Sequence, residues 1–213
     1  MKNLRSIVTV GMIGLATLIP IRDAKADVSG NVKYIQTTEE SNSSGSYPEC
    51  NVFYELPRGI NGYTFIDLYD HGDGYFGRTS LNREFGRKVR GNVEFNHFNE
   101  LFSNVGVGIK AQIPRLPKDA FATVNVMPFY VDRRGNRVKN KGLLQYFGSL
   151  TLPKGFTLSS FGEWDIARGK WEYGEVELTT DLGPFTAGYN GGLIGDGDAT
   201  PNLEHRASLI VNF

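Results

Sequence analysis

The feature that most constrains the fold is an alternation of apolar and polar residues that recurs in short segments along residues 27–213. Residues 104–113 show it clearly, because Val105, Val107 and Ile109 alternate with smaller or polar residues. Successive side chains of a β-strand point to opposite faces, so each segment predicts a strand with one apolar face. No apolar run in residues 27–213 reaches the ~20 residues that a membrane-spanning helix requires. The sequence therefore predicts an all-β chain.

Gly, Pro, Asp and Asn separate the alternating segments and divide residues 27–213 into about twelve of them. Twelve strands of ~10 residues leave ~6 residues per connection, which fits the turn spacing better than eight strands with ~15. We find no internal repeat and no linker, so we expect one domain. The expected breaks lie near residues 39–49, 57–61, 71–78, 87–91, 99–103, 114–118, 132–138, 153–154, 167–169, 181–184 and 195–202.

Residues 1–26 have the organisation of a secretory signal peptide. Lys2 and Arg5 precede an apolar run over residues 7–21, and the small residues Ala24 and Ala26 form a cleavage site. We therefore expect the mature protein to begin at Asp27. The chain contains one cysteine, so an internal disulfide cannot hold the exported fold together.

A soluble β-sandwich would also alternate, and it is the main alternative to a membrane barrel. The more polar faces of these segments carry aromatic residues such as Tyr63, Phe65 and Phe161, which suits an enclosed polar lumen. A closed barrel is the β structure that satisfies every backbone amide within lipid. We predict a transmembrane antiparallel up-and-down β-barrel of about 12 strands, in contact with the lipids of a bacterial outer membrane.

An even strand number places both chain ends on the periplasmic side and makes short turns alternate with longer outer loops. The terminal Phe213 closes an alternating strand and resembles the signal that the outer-membrane assembly machinery recognises, so we expect that machinery as a partner. Four aromatic residues near strand ends are expected in interfacial girdles on the lipid side: Tyr146, Trp164, Phe185 and Tyr189.

The polar face of each segment is expected to line the lumen. Acidic residues outnumber basic ones there, and a low-dielectric wall would concentrate their field, so cations or neutral polar solutes should be preferred. The charged lumen set is Lys33, Glu55, Asp67, Glu84, Glu94, Lys110, Glu163, Asp165, Glu175, Glu177 and Arg206, accompanied by Asn82, Asn125, Gln145 and Ser159. Six aromatic residues share this face and would either stack a planar solute or fill a narrow barrel: Tyr63, Phe65, Tyr69, Phe161, Trp171 and Tyr173.

Several segments resemble the Tsx-like family of nucleoside-specific channels. They are GYTFIDLYD (62–70), TSLNREF (79–85), NVGVGIKAQIP (104–114), VNVMPFYVDRRGN (124–136), FGEWDIA (161–167), VELTTDLGPFTAGY (176–189) and the C-terminal VNF. The resemblance implies a monomeric twelve-stranded barrel with a narrow channel that passes nucleosides across a Gram-negative outer membrane. It also implies that Phe65, Asp67 and Glu84 occupy lumen positions. The chain departs from the family in its short length and reduced outer loops.

Two other functions remain open from the sequence. A lipid-modifying barrel enzyme would need a histidine base beside a nucleophile, and His71, His97 and His205 are candidates without an evident serine partner. A structural or adhesive barrel would have a lumen filled by its own side chains. Acidic turns at residues 70–74 and 196–198 are ordinary turn sequences, and we expect no metal, no cofactor and no catalytic residue. The 23 basic and 23 acidic residues do not favour nucleic acid.

Overall fold

The computed structural model describes residues 27–39, 44–68, 75–85, 88–98, 104–132, 136–138, 141–194 and 202–213. The expected signal peptide lies outside these residues, as do Tyr69, His71 and the acidic turns at 70–74 and 196–198. Among the described residues, no helix is both long and apolar enough to cross a membrane.

Within this described part, twelve strands form one closed barrel in which each strand pairs antiparallel with its neighbours in sequence. The barrel closes where β1 pairs with β12, with Asn31 opposite Asn212 and Thr38 opposite His205. The predicted fold class is confirmed. The strands are β1 (Asp27–Glu39), β2 (Ser44–Leu56), β3 (Ile60–Leu68), β4 (Tyr75–Glu84), β5 (Val89–Phe98), β6 (Asn104–Gln112), β7 (Ala120–Asp132), β8 (Leu143–Thr151), β9 (Phe156–Asp165), β10 (Lys170–Leu182), β11 (Phe185–Ile194) and β12 (Asn202–Asn212).

Most predicted breaks coincide with a connection, but three strands begin four or more residues away from the expected position. Strand β2 begins at Ser44, inside the expected loop 39–49, because its polar residues pair with β1 through Thr38. Strand β4 begins at Tyr75, so Arg78 lies in a strand and not in the expected loop 71–78. Strand β8 begins at Leu143, later than the expected end of its loop at 138. In β2 and β4, backbone pairing extends the strand into residues for which the side-chain pattern alone predicts a loop.

Asp27, where β1 begins, and Phe213, which follows β12, lie at the same end of the barrel, which we call the terminus end; the opposite end is the loop end. Connections at the terminus end include Pro57–Gly59 and the tight turn at residues 183–184, where Gly59 and Gly183 have φ of 70° and 69°. These left-handed conformations suit glycine, which has no Cβ.

The barrel has the polarity of a membrane protein. Apolar side chains point outward and remain exposed, for example Val107, Ile109 and Val176, which are 50%, 59% and 50% exposed. Among the described residues, the fully buried set is mostly polar, with Asn92, Glu94 and Asn190 at 1%, 2% and 1% exposure. Burial of polar groups requires hydrogen-bond partners, which the interior supplies for Asn92 and Glu94. The outward girdle residues Tyr146, Trp164, Phe185 and Tyr189 are likewise exposed.

Candidate functional site: the barrel lumen

Side-chain contacts between strands that are not neighbours identify the lumen. Arg78 on β4 pairs with Glu163 on β9, and these strands stand almost opposite each other in the ring of twelve. Lys33 on β1 pairs with Glu177 on β10 at 2.6 Å. Such contacts can pass only through the interior of a closed barrel, so the alternate positions that carry them face inward.

We call the first group the Arg78 cluster; it comprises Arg78, Glu94, Gln145 and Glu163. The Arg78 guanidinium donates to both Glu163 oxygens, and its Nε lies 3.4 Å from Glu94 Oε1. Gln145 Nε2 donates to Glu163 Oε1 at 2.6 Å and to Glu94 Oε2 at 3.2 Å. Every member is largely shielded from solvent, so the cluster closes much of the lumen in the loop-end half.

Amide side chains continue this network along the wall. Asn125 donates to Gln145 Oε1 at 2.7 Å and to Asn92 Oδ1 at 3.1 Å. Asn92 in turn donates to Ser80 at 2.6 Å and to Asn82 Oδ1 at 3.0 Å. The amides therefore connect β4, β5, β7 and β8 inside the barrel.

Two glycines of β6 give Tyr130 and Met127 room to turn inward. A Cβ on Gly106 would lie 2.7 Å from the Tyr130 ring, and one on Gly108 would lie 2.6 Å from Met127 Cγ. Tyr130 is fully buried and donates to Glu94 Oε1 at 3.3 Å. In the adjacent loop Lys141 Nζ lies 4.8 Å from the centre of the Tyr130 ring, and burial together with the nearby Arg78 lowers the Lys141 pKa.

A second group lies on the wall formed by β10–β12 and β1–β3. We call it the Glu49 cluster; it comprises Glu49, Asp67, Glu175, Asn190, Glu204 and Arg206. Glu49 and Asp67 are direct cross-strand partners. Arg206 Nε donates to Glu204 Oε2 at 2.7 Å and Nη1 donates to the Tyr173 hydroxyl at 2.9 Å. Asn190 Nδ2 donates to Glu175 Oε2 at 3.0 Å. Acidic groups predominate in this cluster.

Two rows of aromatic side chains face the lumen on opposite walls. The first row contains Phe53, Tyr63, Phe65 and Phe76, with consecutive ring centroids 5.0, 5.8 and 5.6 Å apart. The second row contains Phe121, Phe147, Phe161 and Tyr173; Phe121 and Phe147 are 6.3 Å apart, Phe161 and Tyr173 are 6.1 Å apart, and Phe147 pairs with Phe161 in register.

Solvent reaches the rows from the terminus end. Phe53, Phe121 and Phe147 point inward yet are 44%, 42% and 39% exposed. Aromatic rings that only filled the barrel would be covered by neighbours. The lumen is therefore accessible in its terminus-end half and narrow at the Arg78 cluster.

The register places eleven of the sequence-predicted lumen residues on the inward face within the described strands: Phe65, Asp67, Glu84, Glu94, Lys110, Phe161, Glu163, Tyr173, Glu175, Glu177 and Arg206. The Arg78 cluster unites Glu94 and Glu163, whereas Asp67, Glu175 and Arg206 belong to the Glu49 cluster. Glu84 lies apart from both and pairs with Arg90 at 2.7 Å near the terminus end. Contact of these residues with a solute stays a prediction.

Trp171 is a correction, because it lies on the outer face. A register shift between Trp171 and Tyr173 places Trp171 opposite Trp164, and the indole packs over Gly162 and Gly174. A β-bulge adds one residue to the strand, so the residues before the bulge point to the opposite face from the one that alternation predicts. Simple alternation from Tyr173 cannot reveal this shift.

The alternation pattern does not predict Arg78, Glu49 or four phenylalanines of the aromatic rows as lumen residues. Arg78 and Glu49 fell in segments predicted as loops, and both lie in strands. Phe53, Phe76, Phe121 and Phe147 were not assigned inward, although a consistent parity count from Asn51, Asn125 and Gln145 would have placed three of them.

The described histidines lie on the outer face. His97 Nε2 is 3.3 Å from Thr79 Oγ1, and His205 Nδ1 is 2.6 Å from the Tyr189 hydroxyl. In the described part of the chain, no three His, Cys, Asp or Glu side chains are grouped to hold a metal ion.

Searches against protein-family models and against curated proteins found no match. The solved structures that match include "KdgM porin", with 11% identity and a TM-score of 0.58, covering 86% of this chain and 99% of that one. A NanC porin structure matches with 9% identity and a TM-score of 0.55, covering 85% and 98%. Outer membrane phospholipase A from Escherichia coli matches with 11% identity and a TM-score of 0.57, covering 89% and 98%.

At such low identity these matches show the fold. They include both porins and a phospholipase, so the shared architecture does not distinguish a channel from an enzyme. The Tsx-like resemblance stays a prediction, because none of the structures described above is named as a nucleoside channel. The apolar outer surface and the shared architecture agree with the expected location. The chain folds as a twelve-stranded outer-membrane β-barrel.

Proposed function

We propose that this protein is a narrow channel for passive diffusion of small polar solutes across the outer membrane. The observation that carries the proposal is that solvent enters the polar lumen. The Phe147 ring points into the lumen and is nevertheless partly exposed to solvent. A barrel whose interior served only stability would bury such a ring. No chemical step and no cofactor are needed for this function.

The charges of the lumen favour cations and neutral solutes. Among the described inward residues discussed above, the two clusters and the Lys33–Glu177 pair contain seven carboxylates and three basic groups. Excess negative charge inside a low-dielectric wall attracts cations and repels anions. The excess negative charge of the lumen thus argues against an anionic solute such as the oligogalacturonate named for the KdgM complex.

The aromatic rows favour a solute with a flat or apolar ring face. Rings spaced 5.0–6.3 Å apart along each row could exchange stacking contacts with a sugar or nucleobase as it moves. A nucleoside, as the Tsx-like resemblance implies, has both such a face and polar groups for the nearby carboxylates. Nucleosides therefore remain the finer prediction within the broader class.

The channel function is tested with purified mature protein in planar bilayers and in liposomes. We expect discrete current steps in KCl and faster liposome swelling with adenosine or glucose than in protein-free vesicles. Absence of both current steps and solute uptake, from protein that shows heat-modifiable gel mobility, would remove the channel proposal.

Neutralising Glu175 and Glu177 together should reduce the preference for cations. Their carboxylates face the lumen beside Arg206 and Lys33, which would then be left without these acidic partners. We expect the cation-to-anion permeability ratio of E175Q/E177Q to fall about threefold or more, since most of the excess negative charge on this wall is removed. Reversal potentials in a KCl gradient measure the ratio. An unchanged ratio would show that these residues do not face the conducting path.

A structural barrel with a filled lumen is the second candidate, and the Arg78–Glu163 bridge between nearly opposite strands favours it. The same bilayer measurement separates the two functions, because a filled barrel conducts nothing. In both cases we propose a monomer in outer-membrane lipid. The exposed Phe213 at the end of β12 is available to the assembly machinery, at 68% exposure.

A further inference from the structure

The Glu49 cluster contains more negative charge than its own cations can neutralise. Five carboxylates, Glu49, Asp67, Glu175, Glu177 and Glu204, share this wall with the two basic groups Lys33 and Arg206. Buried charge without a partner costs several kcal/mol in order of magnitude, even after the protein relaxes. A cation from solution would lower that cost.

Two buried oxygens in the same cluster lack hydrogen-bond partners. Asn190 is 1% exposed, and its Oδ1 accepts no hydrogen bond although its Nδ2 is bonded to Glu175. Asp67 Oδ1 is also unpartnered. Both are acceptors, so the group that would satisfy them must be a donor.

Three phenols lie on the same wall as these acceptors, on β2, β3 and β10. Tyr173 lies between Glu175 and Arg206, Tyr63 donates to Asn51 at 2.5 Å, and Tyr47 lies within electrostatic range of Asp67 and Arg206. Aromatic faces attract organic cations in addition to carboxylates. A metal ion would prefer three or more converging carboxylate or imidazole ligands, and the described residues show no such group.

We propose that the Glu49 cluster is a binding subsite for the ammonium group of an organic cation that passes through the lumen. The ammonium donates to Asp67 Oδ1 and Asn190 Oδ1, and its charge offsets the carboxylate excess. This inference rests on the channel function and specifies its solute class as small organic amines.

The test uses the full mature protein in planar bilayers, with ethanolammonium chloride as the probe and ethylene glycol as its neutral match. Ethanolammonium is expected to reduce the K⁺ current in a saturable manner. Half of the reduction should occur at a lower concentration of ethanolammonium than of Na⁺. Ethylene glycol is expected to leave the current unchanged. In D67N the half-blocking concentration should rise about tenfold, as loss of one charge-assisted hydrogen bond would cause.

Asp181 provides the matched control, because it also faces inward but accepts from Thr186 near the terminus end, away from the cluster. Ethanolammonium should block D181N at the same concentration at which it blocks the unmodified protein. N190L removes an uncharged acceptor together with the amide group that donates to Glu175, and it should weaken the block as D67N does although no charge of the protein changes. The subsite proposal is overturned if Na⁺ reduces the K⁺ current at the same concentration as ethanolammonium does. It is also overturned if D67N and D181N have the same half-blocking concentration. A protein that conducts nothing would instead refute the channel.

Discussion

Replacing Arg78 by alanine should about double the single-channel conductance, because it removes the side chain that crosses the lumen from β4 to β9. The guanidinium contacts Glu94, Asn96 and Glu163 and connects β4 with β9. Without it, the two carboxylates border a wider water-filled space. We also expect the cation-to-anion permeability ratio of R78A to rise, since one positive charge leaves the lumen.

Glu163 provides a second test of the same bridge. E163Q keeps the volume of the side chain but weakens the bridge, so conductance should rise while cation preference falls. The opposite changes in selectivity distinguish an electrostatic effect from a general loosening of the barrel. R90A is the matched control, because Arg90 pairs with Glu84 at a half-exposed position near the terminus end. If R78A and R90A conduct alike, the Arg78 cluster is not the constriction.

R78A leaves Glu94 and Glu163 without their cation, and breaking a buried pair costs about 3–5 kcal/mol. Folding is therefore checked first, by comparing the mobility of boiled and unboiled samples on a gel. E163Q is expected to retain more stability, since Gln145 and Arg78 can still hydrogen-bond to its amide. Conductance is compared among variants that retain the folded mobility.

Replacing Gly108 by alanine should lower the free energy of unfolding by about 1–3 kcal/mol, as overpacking does in other tightly packed interiors. A Cβ at this position would meet the carbonyl oxygen of Val126 and lie 2.6 Å from Met127 Cγ. Gly108 sits at the bulge where the pairing of β6 with β7 shifts register between Val107 and Ile109. Because the obstructing atom belongs to the backbone, a side-chain rotation cannot relieve the contact.

The measurement is urea unfolding of the refolded barrel in detergent or lipid, followed by tryptophan fluorescence. G148A is the matched control, because the nearest atom to a Cβ on that strand glycine is Phe121 O at 3.9 Å. Its stability should be unchanged or slightly higher. Equal midpoints for G108A and G148A would show that the β6–β7 bulge tolerates a side chain.

The sequence predicted the inward face well where alternation ran without interruption. Strand β5 is an example, since Glu94 points inward as expected. Prediction failed at Trp171, where a bulge shifted the register, and at Arg78 and Glu49, where polar residues near a strand end looked like loop. These failures share one cause: backbone pairing with the adjacent strand, rather than the residue itself, decides where a strand begins and where it bulges.

The sequence by itself determined the barrel, because its period-2 pattern with outward apolar residues has few solutions that satisfy every backbone hydrogen bond in lipid. Only the tertiary structure decided which inward residues meet. Arg78 and Glu163 are separated by 85 residues, and their contact depends on the closure of twelve strands into one ring. Alternation specifies the face on which a side chain lies, whereas closure and register set its height and its partner across the lumen.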